Sequence, residues 1–591
     1  METKFPINIL DFLSNRKFLK MSLIFGFFLI TYNFLVLSFY QPQGYIVDIY
    51  SALPIIFFLS LIISYIIGSA IIFTTQGIMR KLGILLLILT YSTVLVIPYL
   101  LGYYSMGRAD DMTYIGEYLQ ISNSGKIAGW DIYPASHILG AVLTLATGLP
   151  SHLISFIIPF LFSSLFVGGL IVWSRRILSD DRMLVNIIIP ASFILYLGPY
   201  NSLNVPHALF FAMMPLYLFI LFRFIKENRG FSNIVLLFPI TFLVPFMHPF
   251  IVFFVAFTLF AIILISPILE KIVFENYKQF ITPLLIVITG FLAWFIYGTR
   301  LLGSFRQSYL SYIYKVTEPV FFETAEKMAR ININYLKIFN LVTLYYGRYI
   351  IPSFIIAIAV FLIYLQRNRI SQQLKKRTTL IILLYGIFFF IEVILFFNPV
   401  ISHQPDRLVN LNFIVYAQVP LFALSLYVIF IKPKASRFKI LLLLITLSGI
   451  WGLSLFGTFD SPNIFRTNTA LSYNEVQGMK WFYSSRATEN VMVPISQIDR
   501  FHDLFADGGI DKENSIPYHF GYLNNNQSFS EINMAPGERN YIILLSIDEL
   551  LYQKVPGYKD VGRYKAEDFR RFRNDNSINK IFDDTDIEIY Y

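Results

Sequence analysis

Long apolar stretches recur along the first three quarters of the chain, and they constrain its fold more than any other feature of the sequence. A helix needs about 20 apolar residues to cross the hydrocarbon core of a bilayer. About thirteen stretches approach that length, at residues 21–40, 51–73, 82–104, 152–173, 184–199, 207–223, 232–247, 250–267, 279–297, 350–365, 379–397, 411–431 and 440–458. Because helices satisfy their own backbone hydrogen bonds in lipid, the sequence predicts a polytopic α-helical membrane protein.

The composition agrees with a membrane location and excludes several kinds of chemistry. Of the 591 residues, 56% are hydrophobic and 14% are charged, whereas soluble proteins average about 25% charged residues. Cysteine is absent, so disulfides, thiolate nucleophiles and cysteine-bound metals are excluded. The net charge of +10 resides in short loops between apolar segments, which is typical of membrane topology rather than nucleic-acid binding. We therefore expect the lipid bilayer, and not a nucleic acid, as a partner.

The charge of the loops predicts the orientation of the chain. Alternate loops are rich in Lys and Arg, whereas the short loops of the other set hold only Arg108, Lys126 and Arg407. Cationic loops stay in the cytoplasm, so we expect a cytoplasmic N-terminus and, with an odd number of spans, an extracytoplasmic C-terminus in the cell membrane. The first apolar stretch is expected to be a retained helix, because it is too long for a signal peptide and lacks a small-residue cleavage site.

Three segments are predicted to lie on the exterior face. The loop 105–151 contains the run "HILGAVLTLATGLP", which is expected to lie along the membrane interface as an amphipathic helix. The loop 300–348 is longer than a simple connector and is expected to be functional or a lid. The tail 459–591 is expected to be a small α/β domain outside the membrane, beside a transmembrane domain at 1–458.

The tail contains recognisable local signals. Ser472 and Glu475 fit a capping box at the start of an amphipathic helix. The runs "VMVPI" and "YIILLS" are typical of strands, and "NKIFDDTDIEIYY" predicts a closing hairpin around Asp583, Asp584 and Thr585.

An acidic pair stands directly after the third apolar segment, in "GRADDMTYIGEYLQISNSGKIAGWDIYPASHIL". Asp110 and Asp111 are followed by Tyr114, Tyr133 and His137. A carboxylate at the rim of a cavity can take a proton from an attacking hydroxyl, and a second carboxylate can tune its pKa or hold it in place. From the residue types alone, a solvated acidic pair in a polar loop is the alternative.

The order of these features resembles the GT-C superfamily of membrane glycosyltransferases, which use polyprenyl-phosphate sugars. The shared features are an acidic pair after an early helix, a Tyr behind it and a "YP" step into a lateral helix. The resemblance covers the membrane part in architecture, including thirteen spans and an exterior C-terminal domain, and about thirty residues in motif. It implies that Asp110 or Asp111 is a catalytic base, and the closing hairpin resembles the end of many archaeal membrane proteins of this class.

The resemblance also suggests how the donor phosphate is bound. A lipid-phosphate leaving group needs a cation, and Arg407 in "SHQPDRLVN" is the candidate, with His403 beside it. An arginine that extends to lipid headgroups is the alternative. His248 in "VPFMHPF" is expected either to contact the phosphate or to be an ordinary turn residue.

Tyr114, Tyr133, His137 and Glu318 are expected to contact the substrate. Glu318 and the nearby Glu323 could hold a sugar, an acceptor or a metal; the alternative is that both lie on a solvent-exposed helix face. The second exterior loop, "GPYNSLNVPHA", has no carboxylate that would complete a divalent-metal site. We therefore expect no cofactor and favour a metal-independent enzyme with a monophosphate lipid donor, with a divalent metal as the alternative.

Together with the resemblance, these observations predict an inverting glycosyltransferase. It would move a sugar from a polyprenyl-phosphate donor to a hydroxyl of a glycan, lipid or protein acceptor. The alternatives are a flippase for a lipid-linked glycan, a glycan polymerase or ligase that does not need the aspartates, and a noncatalytic scaffold. A transporter would typically carry charges within its spans. The predicted spans of this sequence are almost free of charged residues, and Glu392 is the main exception.

Overall fold

The computed structural model describes residues 15–40, 44–129, 131–178, 181–226, 231–269, 277–314, 326, 329, 331, 334–365, 372–397, 411–431, 437–485, 490–495, 498–505, 517–519, 540–562 and 564–591. Helices dominate residues 16–456. They are α1 (Arg16–Ser38), α2 (Ile49–Ala52), α3 (Ile55–Thr74), α4 (Gly77–Leu100), α5 (Asp110–Ser124), α6 (Pro134–Thr147), α7 (Ser151–Ile177), α8 (Arg182–Ser192), α9 (Pro206–Lys226), α10 (Phe231–Met247), α11 (Pro249–Leu269), α12 (Ile281–Tyr297), α13 (Thr299–Ile313), α14 (Tyr335–Leu341), α15 (Gly347–Leu365), α16 (Gln372–Phe397), α17 (Val415–Leu426) and α18 (Arg437–Phe456).

Eight helical segments in the described ranges are long and apolar enough to cross a membrane. They are Arg16–Ser38, Ile55–Thr74, Gly77–Leu100, Ser151–Ile177, Pro206–Phe224, Tyr335–Leu365, Thr378–Phe397 and Phe438–Phe456. These segments agree with the predicted helical membrane protein. The other five predicted spans coincide with apolar helices of 10–17 residues, so the count of thirteen spans remains a prediction.

One predicted span is a broken helix rather than a continuous one. The stretch 184–199 was expected to be helical throughout, but α8 ends at Ser192 after 11 residues, a rise of only about 16 Å. Irregular backbone at membrane depth is tolerated where protein surrounds it, and residues 193–205 are buried or half-buried. Tyr65 and Trp451 donate to the carbonyl groups of Pro190 and Phe193, at 2.8 and 3.1 Å, which replaces part of the lost helical bonding.

Helix α6 has the two unequal faces predicted for the lateral segment. His137, Gly140 and Ala141 are buried, whereas Val142 and Leu145 are exposed. An exposed apolar face on a short helix is typical of an element that lies in the membrane interface.

The C-terminal segment contains a mixed five-stranded sheet. The described strands are β1 (Tyr103–Ser105), β2 (Leu471–Ser472), β3 (Asn490–Val493), β4 (Pro517–His519), β5 (Asn540–Leu545), β6 (Lys580–Asp584) and β7 (Ile587–Tyr590). The order in the five-stranded sheet is β4-β3-β5-β7-β6; β3 and β5 are parallel, and β7 is antiparallel to both β5 and β6. The helices are α19 (Tyr473–Ser485), α20 (Asp499–Leu504), α21 (Ser546–Lys554), α22 (Tyr558–Val561) and α23 (Ala566–Arg573).

The local signals of the tail are confirmed. The predicted strands "VMVPI" and "YIILLS" correspond to β3 and β5, and the closing hairpin is formed by β6 and β7. The capping box is also present: the Ser472 N–H donates to Glu475 Oε2 at 2.9 Å, and the Glu475 N–H donates to Ser472 Oγ at 3.2 Å. These elements could be predicted from the sequence because each depends on residues that are close together in the chain.

The tail shares its hydrophobic core with the loop that follows α4. Strand β1 in that loop pairs antiparallel with β2 of the tail. Met112 and Ile115 of α5 pack in one buried cluster with Val491 and Ile543 of the sheet. A Cβ atom at Gly116 would lie 1.9 Å from the Asp503 carbonyl oxygen, so only glycine allows α5 and α20 to approach this closely. Helix α5 is therefore held between the helical bundle and the tail.

Candidate functional site

The acidic pair lies at a strained turn that leads into α5. Ala109, the residue before Asp110, has φ 59° and ψ −104°. Positive φ is unusual for a residue with a Cβ atom, and such strain is often found at functional sites. The Asp111 carboxylate closes this turn by accepting a hydrogen bond from the Gly107 N–H at 3.1 Å. The backbone of the turn therefore fixes the position of the Asp111 carboxylate.

Asp111 is buried and is held by the protein itself. The Asn204 amide donates to its Oδ1 at 3.0 Å, and the same amide accepts from the Tyr118 hydroxyl at 3.0 Å. Burial raises the pKa of Asp111 to about 7, although the hydrogen bonds from Asn204 and Gly107 act in the opposite direction. Asp111 thus joins α5 to the irregular segment after α8.

Asp110 lies on the other side of α5 and is open to solvent. Its side chain is 48% exposed, and its Oδ1 lies 3.6 Å from Arg500 Nη2 of the tail. Arg500 also donates to Thr113 Oγ1 at 3.1 Å and lies 3.5 Å from Asp503. Exposed ion pairs of this length are weak. Asp110 is therefore the member of the pair that an incoming molecule can reach.

A buried ion pair holds the strained turn against the tail. Arg108 Nη2 lies 2.6 and 2.7 Å from the two carboxylate oxygens of Glu475, whose side chain is fully buried. The Arg108 guanidinium also packs over the ring of Tyr45, 5.2 Å from its centroid. Burial raises the pKa of Glu475, and the charge of Arg108 opposes that rise. Charge-assisted bonds of this kind are among the strongest in proteins, so the turn and the tail form one unit.

A polar cluster lies on the bundle-facing side of α5. Glu117, Asp131 and His137 are buried, and one ligand atom from each lies within 4.8 Å of the others. His137 Nδ1 is 2.8 Å from Asp131 Oδ2, and the Tyr133 N–H donates to Asp131 Oδ1 at 2.7 Å. This nitrogen and oxygen set has the composition of a metal site.

Aromatic and imidazole rings extend from this cluster towards α11. The Tyr133 ring stacks on His248 at 4.8 Å, and His248 contacts His207 at 5.4 Å. His248 Nδ1 accepts a hydrogen bond from the Phe250 N–H at 3.2 Å. The imidazole therefore has the turn-forming role that was one of its two expected roles, and it also lies in the ring cluster.

The structure brings most of the described predicted residues together. Tyr114 lies with its ring 5.0 Å from that of His137, so Tyr114, Tyr133, His137 and His248 line one region. Asp111 is linked to it through Asn204 and Tyr118. Arg407, His403, Glu318 and Glu323 lie outside the described residues. The expected convergence of an aspartate with Arg407 therefore stays a prediction.

Several site residues were not predicted from the sequence. Asn204 lies in "GPYNSLNVPHA", which had been considered only for its lack of a carboxylate. Arg108 had been used only for topology. Arg500 has Asp503 as a close neighbour in the sequence, but its partner Thr113 is 387 positions away. The Asp110–Arg500 pair likewise could not have been inferred from nearby residues.

Comparisons of the chain with known protein families and with curated proteins found no match. The functional argument therefore depends on the geometry of the acidic turn. That geometry has an accessible carboxylate, Asp110, a buried carboxylate that holds the turn, Asp111, and an arginine next to Asp110, Arg500. Such a set can remove a proton from a hydroxyl.

Proposed function

We propose that the protein is a membrane glycosyltransferase that moves a sugar from a polyprenyl-phosphate donor to an acceptor hydroxyl. The observation that carries the proposal is the unequal environment of Asp110 and Asp111 at the start of α5, shortly after the apolar helix α4 ends. The resemblance of the motif order to the GT-C superfamily supports the same activity. The loop charges support an extracytoplasmic site, with the N-terminus in the cytoplasm and the tail outside.

Asp110 acts as the general base in this proposal. Its accessible carboxylate takes the proton of the acceptor hydroxyl as the hydroxyl oxygen attacks the anomeric carbon. The bond between that carbon and the lipid-phosphate oxygen breaks, and the phosphate leaves with the electron pair. Attack from the side opposite the leaving group inverts the configuration. Asp111 is a positioning residue, because its hydrogen bonds with Gly107 and Asn204 fix the turn.

Two arginines, Arg407 and Arg500, have separate roles in this proposal. Negative charge grows on the departing phosphate oxygen, and a guanidinium stabilises it. We assign that role to Arg407, as the motif suggests. Arg500 lies 3.6 Å from Asp110 and orients its carboxylate towards the acceptor.

An apolar cavity supports a lipid-linked donor. It has a volume of about 630 Å³ and lies between α15, α16 and α17. Its lining is largely apolar and includes Ile356, Phe361 and Leu421. A polyprenyl chain is a hydrocarbon, and burying such a chain against apolar side chains is favourable. The donor would then reach the site laterally from the bilayer.

The test compares purified variants reconstituted in vesicles with a labelled polyprenyl-phosphate sugar and a panel of acceptors. Asp110→Asn is expected to lower transfer by about 10²- to 10⁴-fold, the usual contribution of a general base. The matched control is Asp503→Asn, which removes another partner of Arg500 and is expected to retain transfer within about tenfold.

Transfer by Asp110→Asn at the wild-type rate would overturn the assignment. If Asp110→Asn and Asp111→Asn both keep activity while Arg407→Ala loses it, a glycan polymerase or ligase is favoured instead. Movement of the labelled lipid across the vesicle without transfer would favour a flippase.

A further inference from the structure

Helix α13 begins the long loop 300–348 and is not used by the proposed transfer step. It has 15 residues, which rise only about 22 Å, whereas the hydrocarbon core of a bilayer is about 30 Å thick. The helix is therefore too short to cross the membrane. Its surface and its attachment to α12 indicate where it lies instead.

The residues of α13 divide between an apolar and a polar side. Leu302, Phe305 and Tyr309 are spaced three and four positions apart, which places them on one face of a helix. The Phe305 and Tyr309 rings lie 6.4 Å apart and are nearly parallel, in agreement with a shared face. Because consecutive positions are about 100° apart, Gln307 lies on the opposite side. Helix α13 is therefore amphipathic.

The apolar face of α13 is only partly covered by the described part of the protein. Phe305 contacts Phe295 of α12, with 5.8 Å between the ring centroids. Even so, Leu302, Phe305 and Tyr309 are 48%, 51% and 49% exposed. Covering apolar surface contributes about 25 cal/mol for each Å² removed from water, so this face favours an apolar environment.

Helix α12 indicates what covers this face. It coincides with a predicted span, and Ile288, Leu292 and Ile296 form an exposed apolar row along it at intervals of four residues. In a spanning helix such a row faces lipid. Only Gly298 separates the end of α12 from the start of α13, so α13 starts close to the membrane boundary. Its apolar face begins where the row on α12 ends.

The polar groups of α13 suit a layer of lipid headgroups. Arg306 is exposed, and the helix contains no acidic residue, as is typical of helices that lie on a membrane surface. The phenol rings of Tyr297 and Tyr309 are also exposed. Tyrosine is enriched where membrane and water meet, because its ring is apolar and its hydroxyl is polar.

We propose that α13 lies in the interface of the outer leaflet, with its apolar face in the acyl-chain boundary and Arg306 among the headgroups. Its partner is the lipid surface next to α12. The first part of the loop 300–348 is then anchored to the bilayer. The inference depends on the membrane location of α12 and not on sugar transfer.

The experiment measures the depth of single positions of α13 in the full-length protein. Because the native chain has no cysteine, each of the variants Leu302→Cys, Phe305→Cys, Tyr309→Cys and Gln307→Cys takes up one nitroxide label. The labelled proteins are reconstituted into nanodiscs of phosphatidylcholine and phosphatidylglycerol. Electron paramagnetic resonance then compares collisions of the label with oxygen, which concentrates in the bilayer, and with a nickel chelate, which stays in water.

Labels on the apolar face should lie about 5–10 Å into the boundary between headgroups and acyl chains. Gln307→Cys is the matched control, and its label should collide mainly with the nickel chelate. Equal access of the chelate to Phe305→Cys and Gln307→Cys would overturn the proposal, because α13 would then stand in water. Shielding of the Phe305→Cys label from both reagents would also overturn it, because protein would then cover the face. Neither result bears on the glycosyltransferase proposal, since no transfer is measured.

Discussion

The two faces of α5 place neighbouring residues in opposite environments. On the tail-facing side, Asp110 and Thr113 contact Arg500, and the Asp110 carboxylate is half-exposed. On the bundle-facing side, Asp111 is buried and contacts Asn204 through a neutral hydrogen-bond donor. Consecutive helix positions are about 100° apart, so one step along the chain is enough to separate them. Two adjacent aspartates thus differ in solvent access and in partners, which is why we give them different roles.

The comparison also distinguishes two kinds of stabilisation. The tail-facing side is held by ion pairs, such as that of Arg108, in the turn before α5, with Glu475 of the tail. The bundle-facing side is held by hydrogen bonds and ring contacts around Tyr114, Tyr118 and His137. The variants below act on one face at a time.

The largest effect on stability is expected from Glu475→Gln. Removing one charge from a buried pair leaves Arg108 without its counter-charge, which typically costs about 3–5 kcal/mol. The melting temperature of the detergent-solubilised protein should fall markedly. Glu549→Gln is the control, because Glu549 pairs with Arg573 in a partly exposed ion pair of the tail and should lose much less. Equal losses in the two variants would show that the turn is not held by the buried pair.

The bundle-facing carboxylate should make stability depend on pH. The pKa of Asp111 is raised to about 7 in the fold, whereas an unfolded Asp has a pKa of about 3.9. The unfolded state therefore releases this proton first, and the stability due to this group falls as pH rises from about 4 to about 7. Asp111→Asn should remove that fall, which is measured as the slope of the melting temperature against pH.

Asp110→Asn is the control for this pH dependence. The Asp110 side chain is half-exposed, so its replacement should leave the slope of melting temperature against pH in place. If the Asp111→Asn slope matches that of the wild type, Asp111 does not bind the extra proton.

A smaller effect is expected where α5 touches the tail. Gly116→Ala places a Cβ atom against the Asp503 carbonyl group, and overpacking of this kind typically costs about 1–3 kcal/mol. Gly125→Ala tests a different mechanism, because no atom lies within 4 Å of the added Cβ but its φ of 68° disfavours alanine. Limited proteolysis should release the tail more readily in Gly116→Ala than in Gly125→Ala. Equal release would show that the close approach is not required.

The smallest effect is expected from Arg500→Ala. The Arg500 side chain is about one-third exposed, and its ion pairs with Asp110 and Asp503 are 3.6 and 3.5 Å long. Such pairs usually contribute less than about 1 kcal/mol, so the melting temperature should change little. A loss as large as that of Glu475→Gln would show that the exposed pairs of Arg500 hold the tail-facing side as firmly as the buried pair does.

The sequence predicted what depends on composition and on neighbouring residues. The apolar stretches, the lateral helix, the Ser472–Glu475 capping box and the closing hairpin are such features. It did not predict the break after Ser192, because buried donors from Tyr65 and Trp451 permit it. Nor did it predict Asn204 and Arg500, since their partners are far away in the chain. The acidic pair was found, but the difference between its two members arises only from tertiary packing.

The pairing of β1 with β2 has a consequence for biosynthesis. The acidic turn leaves the ribosome long before Leu471 and Glu475, its partners in the tail. Until residues 471–475 have been translated, the turn has neither its second strand nor its counter-ion. The chain therefore cannot complete this region before the start of the tail has been made and delivered to the same side of the membrane, which makes any activity there depend on synthesis of the tail.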